Sequence, residues 1–419
     1  MISRVKNKFL ESFILISVLI VAFIFYLFQD YLSYFDELLA FIFSLIIVYK
    51  LGNQSVIYLY KEEKLIVLFL VLLGIIGLLS NYFTLSKNPT QNIAIISDFI
   101  VIFKAYIVYF GIRLIKEQID SEKIIIKLTS IAEVIFYLLF VLVLFDLLFD
   151  IFPKEPRYGM QSLKLFFGHP SRFSFAFGFI FMILFHRHIN SKKWLLLMVL
   201  LVGILSLRVK FFGFVLIAFL IFNFRSYLKR IPRKQILIYI FLLFTSFYFI
   251  FKDRISMYFS WENITNGWSR GVLLIKSIYI ANDFFPFGTG FGTYAGYFSG
   301  KYYSWVYPMY GLDQVWGITR DNYDFIADQF WPMILGQFGW FGLILYTAIL
   351  YCFIMLFVKL LKMNSEKIIS QRMIVPILGI FMLIIDSTSD AIFTQDRAVA
   401  IFILIALIVN MQSLQKIKI

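Results

Sequence analysis

Arg208 and Lys210 stand in the run Leu205-Ser206-Leu207-Arg208-Val209-Lys210, a tight turn between two apolar stretches. An arginine at the edge of an apolar region is costly unless it faces a cavity or a partner. Guanidinium presents a rigid fork of donors that suits phosphate oxygens, so the turn reads as an anion clamp, or as a snorkelling pair that marks an interface. Arg270 follows Trp268 and Ser269 and precedes a helix-like apolar stretch at 272–280, where it would place charge beside a bound phosphate. Further on, Gly288, Gly290 and Gly292 allow a backbone to approach a ligand closely, or simply make a turn. Asp328 heads a long apolar run, at a boundary where desolvation can raise a carboxyl and make it a base. An ordinary helix cap would also use aspartate there. His169 precedes Pro170, with Arg172 one turn further on. It suits a base or a phosphate ligand, or a structural role at a helix entry. His186 and His188 flank Arg187 in a basic loop and read as solvated. Cys352 is the single cysteine, so no disulfide framework and no thiolate metal site is expected, and no cofactor is expected either.

The elements that must hold these residues are membrane helices. The chain has 419 residues, 61% hydrophobic and only 15% charged, with 52 Phe. Its mean hydropathy is +0.84. Soluble domains carry about a quarter charged residues, so a water-soluble globule, a disordered chain and a nucleic-acid binder are excluded. The expected class is all-α, a polytopic membrane protein. On the ruler of about 20 apolar residues per crossing, the spans fall near 9–28, 31–49, 64–83, 92–112, 128–149, 169–186, 193–208, 210–224, 235–251, 330–357, 373–391 and 397–414. Three regions follow: spans one to nine over 1–251, one long external segment over 252–329, and spans ten to twelve over 330–419. The long segment is rich in aromatics, including Trp261, Trp268, Trp305 and Trp316, and is expected to fold as short amphipathic helices. Most of the 39 Lys and Arg fall in alternate loops and tails, which places both termini in the cytoplasm. That asymmetry accounts for the net charge of +14. Asp98, Lys104, Glu133 and Asp146 lie within spans and are functional candidates by default.

Taken together, the clusters resemble the bacterial O-antigen polymerase and ligase family, the Wzy-type polytopic enzymes. That family has an arginine-bearing turn between two mid-chain spans and an arginine at the start of a long periplasmic loop. A proline-and-glycine stretch follows, and then a helix entry with a glycine eleven residues on. Here the matching pieces are Arg208, Arg270, Phe285-Pro286-Phe287-Gly288-Thr289-Gly290-Phe291-Gly292-Thr293-Tyr294, and Asp328 with Gly339. The ligase branch has histidine where Asp328 stands, and Gln329 and Gln337 replace Asn and Glu, which points to a polymerase over a ligase.

The resemblance implies glycosyl transfer at the outer face of a bacterial inner membrane, from a glycan on polyprenyl pyrophosphate to the next lipid-linked unit. It makes Arg208 and Arg270 leaving-group stabilisers, supported by Arg172 and Lys210, with Asp328 or His169 as base. Trp305, Tyr302 and Tyr303 would face sugar rings, or anchor the interface. A chain-length regulator is a further implied partner. The alternatives are a ligase or a lipid-linked oligosaccharide flippase.

Overall fold

In the computed structural model, residues 2–53, 59–85, 90–228, 268–363 and 372–415 are described. The span expected at 235–251 and the beginning of the long segment, with Trp261, lie outside them. Among the described residues the protein is mostly helical, with one small hairpin and a largely irregular stretch over 284–329 that holds only the short helices Tyr297–Lys301 and Val306–Met309. The chain runs through α1 (Ile2–Leu19), α2 (Phe35–Asn53), α3 (Lys61–Leu85), α4 (Asn92–Leu114) and α5 (Ser121–Phe149). The hairpin strands β1 (Glu155–Arg157) and β2 (Met160–Ser162) follow, then α6 (Pro170–His188), α7 (Lys193–Ile204) and α8 (Val209–Leu228). After these come α9 (Ser269–Asp283), α10 (Phe330–Met363), α11 (Ile374–Asp386) and α12 (Asp396–Gln415).

Among the described residues, six helical segments are long and apolar enough to cross a membrane: Lys8–Leu27, Gln29–Asn53, Lys61–Thr84, Asn92–Leu114, Ser121–Phe149 and Phe330–Met363. The first five and the tenth of the expected spans fall on them. Apolar helices at Lys193–Ile204, Val209–Leu220 and Ile374–Asp386 are shorter. The large apolar side chains left bare on the long helices, such as Leu138, Leu144 and Leu148 on α5 and Val71, Ile75 and Tyr82 on α3, suit a lipid-facing surface.

Helices α6 and α12 have a different role. Every residue of α6 is buried except Arg172 and Arg187, and residues 398–410 of α12 are all buried. A helix that is apolar all round belongs in an interior, and the phenylalanines of α6 (Phe173, Phe175, Phe177, Phe179, Phe181) point to every side and supply much of the core. Around these two helices pack α4, α5, α7 and α11, while α3 and α9 lie against α10. His186 and His188 are therefore not solvated. His186 is buried, and His188 is buried with its Nε2 2.6 Å from Glu133.

The intramembrane charges are partnered. Lys104 Nζ lies 2.5 Å from Asp36 and 2.6 Å from Glu37 of α2, and Glu133 also holds Lys192 at 2.7 Å. Asp146 accepts from the Phe152 amide at 2.7 Å, and Asp98 from the Gly292 amide at 2.8 Å. At the opposite end of the bundle Arg113 forks onto Glu63 at 2.6 and 3.1 Å, with Tyr109 donating to the same carboxylate at 2.8 Å. Burying such charges is tolerable where each meets an opposite charge or a hydrogen-bond donor, although Glu37 Oε2, Asp98 Oδ1 and Asp146 Oδ2 are buried without a hydrogen-bond partner.

Candidate functional site

The short turn between α7 and α8 is closed by backbone bonds from Leu205, Ser206 and Leu207 to the last turn of α7. Leu207 takes the left-handed conformation (φ 50°) to reverse the chain. Arg208 is thereby set just ahead of α8, its carbonyl accepting from Phe211 at 2.9 Å. The hairpin supports it from one side. Its two central residues, Tyr158 (φ 52°) and Gly159 (φ 74°), both have positive φ, the signature of the tight turn whose twist matches paired strands. Beyond the hairpin, the Leu163 amide donates to the Leu205 carbonyl at 3.0 Å, so the strand pair is fastened to the turn. Glu155 of β1 then lies 4.0 Å from the Arg208 guanidinium, 3.2 Å from Arg157 and 3.6 Å from Lys164.

His169 precedes α6 and meets the same arginine: its Nε2 is hydrogen-bonded to Arg208 Nη2. Burial and the neighbouring guanidinium push the imidazole down to about 4, so the ring is neutral at physiological pH. Arg172 sits one turn along, donating to Gln29 at 3.3 Å and lying over the Tyr26 ring at 5.7 Å.

The second half is built on α9 and α10. Arg270 lies in the first turn of α9 and donates from Nε and Nη2 to one oxygen of Asp328, at 3.0 and 2.9 Å. Asp328 is thus not the cap of α10; its carboxylate serves Arg270. Its segment rests on the α11–α12 loop, where the Ala391 amide donates to Ala327 at 3.2 Å and the Phe330 amide to Ser387 at 3.2 Å. Trp331 adds a bond to Ser387 Oγ at 2.9 Å. In that loop Asp390 pairs with Arg397 at 2.5 Å, and Gln395 bonds to both. Lys210 lies 3.6 Å from Asp386 at the end of α11. Burial raises the Asp328 carboxyl above its ordinary range and Asp390 pushes it the same way, while Arg270 and Lys210 pull it down. Arg397 and Lys210 outweigh burial at Asp390 and hold that carboxyl low. Below these charges, a small cleft between α6, α8 and α11 is lined by Ser174, Phe175, Lys210, Phe214, Met382 and Asp386.

Arg208, His169, Lys210, Arg172, Arg270 and Asp328 therefore gather at one end of the bundle, where α6, α8, α10 and α12 begin. Gly288, Gly290 and Gly292 do not join them as a phosphate cradle. Their amides are spent on protein acceptors: Gly288 on Phe284 at 2.9 Å, Gly290 on Gln337 at 2.8 Å and Gly292 on Asp98 at 2.8 Å. All three are buried between α3, α4 and α10, and what looked like a ligand loop is a packing wedge. Gln337 is part of the same wedge, fully buried and donating to the Tyr294 carbonyl at 2.9 Å. Trp305 is likewise engaged, donating to Thr90 at 3.1 Å and packed on Phe284.

Four residues of the site escaped the sequence reading. Glu155 and its hairpin looked like a plain connection, and Asp386 and Asp390 fell inside the stretch assigned to one span. Arg397 sat at the head of another. The available signal was the density of Asp, Ser, Thr, Gln and Arg between 386 and 397, too polar for the interior of a membrane helix. Among the described residues no three His, Cys, Asp or Glu side chains gather as metal ligands would.

The assembled chemistry is a row of cations at the rim of a bundle of apolar helices, with Arg208, Lys210 and Arg270 held by a carboxylate or a neutral imidazole and Arg172 by Gln29 and the Tyr26 ring. Such a row can receive a multiply charged anion whose other end is apolar. No family model, no curated protein and no solved structure matches this chain.

Proposed function

We propose that the protein is a polysaccharide polymerase of the O-antigen or capsule type. It transfers a glycan from polyprenyl pyrophosphate to the next lipid-linked repeat unit at the outer face of a bacterial inner membrane. The observation that carries this reading is the convergence of Arg208 and Lys210 with the Arg270–Asp328 pair at one end of the apolar bundle. In the reaction an acceptor hydroxyl oxygen bonds to the anomeric carbon, the bond from that carbon to the pyrophosphate oxygen breaks, and polyprenyl pyrophosphate leaves. Charge grows on the leaving group, and fixed guanidinium groups stabilise it without having to reorganise.

Asp328 takes the hydroxyl proton in this scheme. Both contacts from Arg270 go to one carboxylate oxygen, Oδ2, and an incoming pyrophosphate competes for the same guanidinium. Donor binding then loosens the pair and frees the base. His169 orients Arg208 instead, because a ring pressed against a cation is a poor proton acceptor.

Loss of either arginine tests the reading. Arg208→Ala and Arg270→Ala strains are expected to keep single lipid-linked units on the outer face and to lose long chains. Purified variants should turn over about 10²–10³-fold more slowly, the scale seen when one transition-state donor is removed. Single units retained in the cytoplasm would favour a flippase, for which the buried Lys104–Asp36–Glu37 cluster inside the bundle would be the coupling site. Free polymer unattached to its lipid core would favour a ligase.

A further inference from the structure

Arg397 stands apart from the arginines considered so far. It is 5% exposed, in the first turn of the buried helix α12, and its guanidinium lies 5.5 Å over the ring of Phe175, a wall of the cleft that Lys210 and Asp386 line. Nη2 is committed to Asp390 and Gln395, while the buried Nη1 has no partner. Asp390 is the element that matters. It lies on the loop that supports Asp328 through the Ala391–Ala327 bond, and its charge is felt by both Asp328 and Lys210. An unpaired Asp390 would draw Lys210 to itself and repel any anion arriving at the rim.

We infer that Arg397 is a positioning residue of this site: it takes up the charge of Asp390, so that this carboxylate neither draws Lys210 away nor repels the pyrophosphate, and it pins the loop on which Asp328 rests. This rests on the donor reading above. The arrangement follows from charge balance, since the carboxylates of Asp328, Asp386 and Asp390 face Arg270, Lys210 and Arg397 in turn. Removing one member of a buried charge pair leaves the other uncompensated, whereas removing both relieves the penalty.

The experiment measures binding of a glycan-free short polyprenyl pyrophosphate to the full chain in detergent by calorimetry. Arg397→Gln is expected to weaken binding about 10-fold or more, the effect of losing one charged hydrogen-bond partner. The double variant Arg397→Gln with Asp390→Asn should recover most of that loss, because the stranded carboxylate has gone. Where Arg397→Gln does not fold, Asp390→Asn alone decides, and it should bind pyrophosphate more tightly than the wild type. Wild-type affinity in Arg397→Gln, a double variant as weak as the single one, or weaker binding by Asp390→Asn would each overturn the inference. If Arg208→Ala abolishes binding and Arg397→Gln leaves it unchanged, only the inference falls. A wild-type chain that does not bind pyrophosphate would remove the donor reading as well.

Discussion

The contact between Arg208 and His169 shows how one side chain sets the chemistry of another. An imidazole in water has an ordinary value of 6.5, but partial burial and an adjoining guanidinium bring His169 to about 4. Between these two values the unfolded chain holds the proton and the folded chain does not, so stability rises with pH across that window and is lost as pH falls through it. Replacing His169 with Gln, which keeps an acceptor for Arg208 but cannot titrate, should flatten the slope. Melting temperatures in detergent from pH 4 to pH 7 check this. The two proteins should differ in slope between about pH 4 and 6.5 and run parallel above it. The effect will be modest, since the ring is partly exposed and solvent screens it. Identical slopes would mean that the ring titrates in the folded protein as it does in water. Asp328 is displaced in the opposite sense, upward by burial, and that suits a group meant to receive a proton while a cation holds it ionised.

At the scale of elements, Gly288 and Gly339 bring two stretches of backbone into close contact. Helix α10 breaks at Gly339 (φ 63°), and the backbone of Pro286 and Gly288 enters the gap. A Cβ on Gly288 (φ +73°) would meet the Gly339 nitrogen at 2.5 Å, and one on Gly339 would meet the Pro286 carbonyl oxygen at 2.3 Å. Neither obstacle is a side chain that can turn away. Gly288→Ala should therefore cost about 1–3 kcal/mol from backbone strain, with a comparable term from overpacking. Gly311→Ala is the control, because Gly311 also has positive φ (+67°) but nothing within 4 Å of its Cβ. Thermal melts should rank the control well above Gly288→Ala, and equal melting temperatures would show that the wedge can yield. The Phe285–Tyr294 stretch was conspicuous in the sequence for the wrong reason. Glycine spacing reports that a backbone comes close to something, but not whether that something is a phosphate or another helix. Long lipid-facing helices such as α3 and α5 were legible because length and hydropathy are all that a crossing requires. Helices α6 and α12 were legible as apolar helices at 169–186 and 397–414, but their burial in protein was not, since a helix buried in protein and one bathed in lipid share the same composition. The hairpin was invisible for a third reason: three-residue strands are too short to show a period, and only the tyrosine-glycine turn marks them.

For the whole molecule, the two ends of the bundle differ in the chemistry of their charges. One end carries closed pairs, with Glu63 and Arg113 sealed inside and Lys359 held by Glu62 at 2.8 Å. The other carries the partly exposed row of Arg208, Lys210, Arg270 and their carboxylates. The proposed polymerase places the first end in the cytoplasm, as the positive-inside rule would for the basic loops expected there. In that orientation the row of arginines would face outward, where a lipid-linked glycan would present its pyrophosphate. Cysteine labelling can decide this orientation with little background, because the single native thiol, Cys352, is buried. Trp316, 70% exposed on the segment above α9 and α10, and Lys359, near the far end of α10, are the sites to replace with cysteine. In intact cells a membrane-impermeant maleimide should modify Trp316→Cys and spare Lys359→Cys until the membrane is opened. The reverse pattern would turn the arginine row toward the cytoplasm. A cytoplasmic row could still bind a lipid pyrophosphate, but it could not join units already carried across, so orientation alone separates an extracytoplasmic polymerase from an enzyme that acts before export.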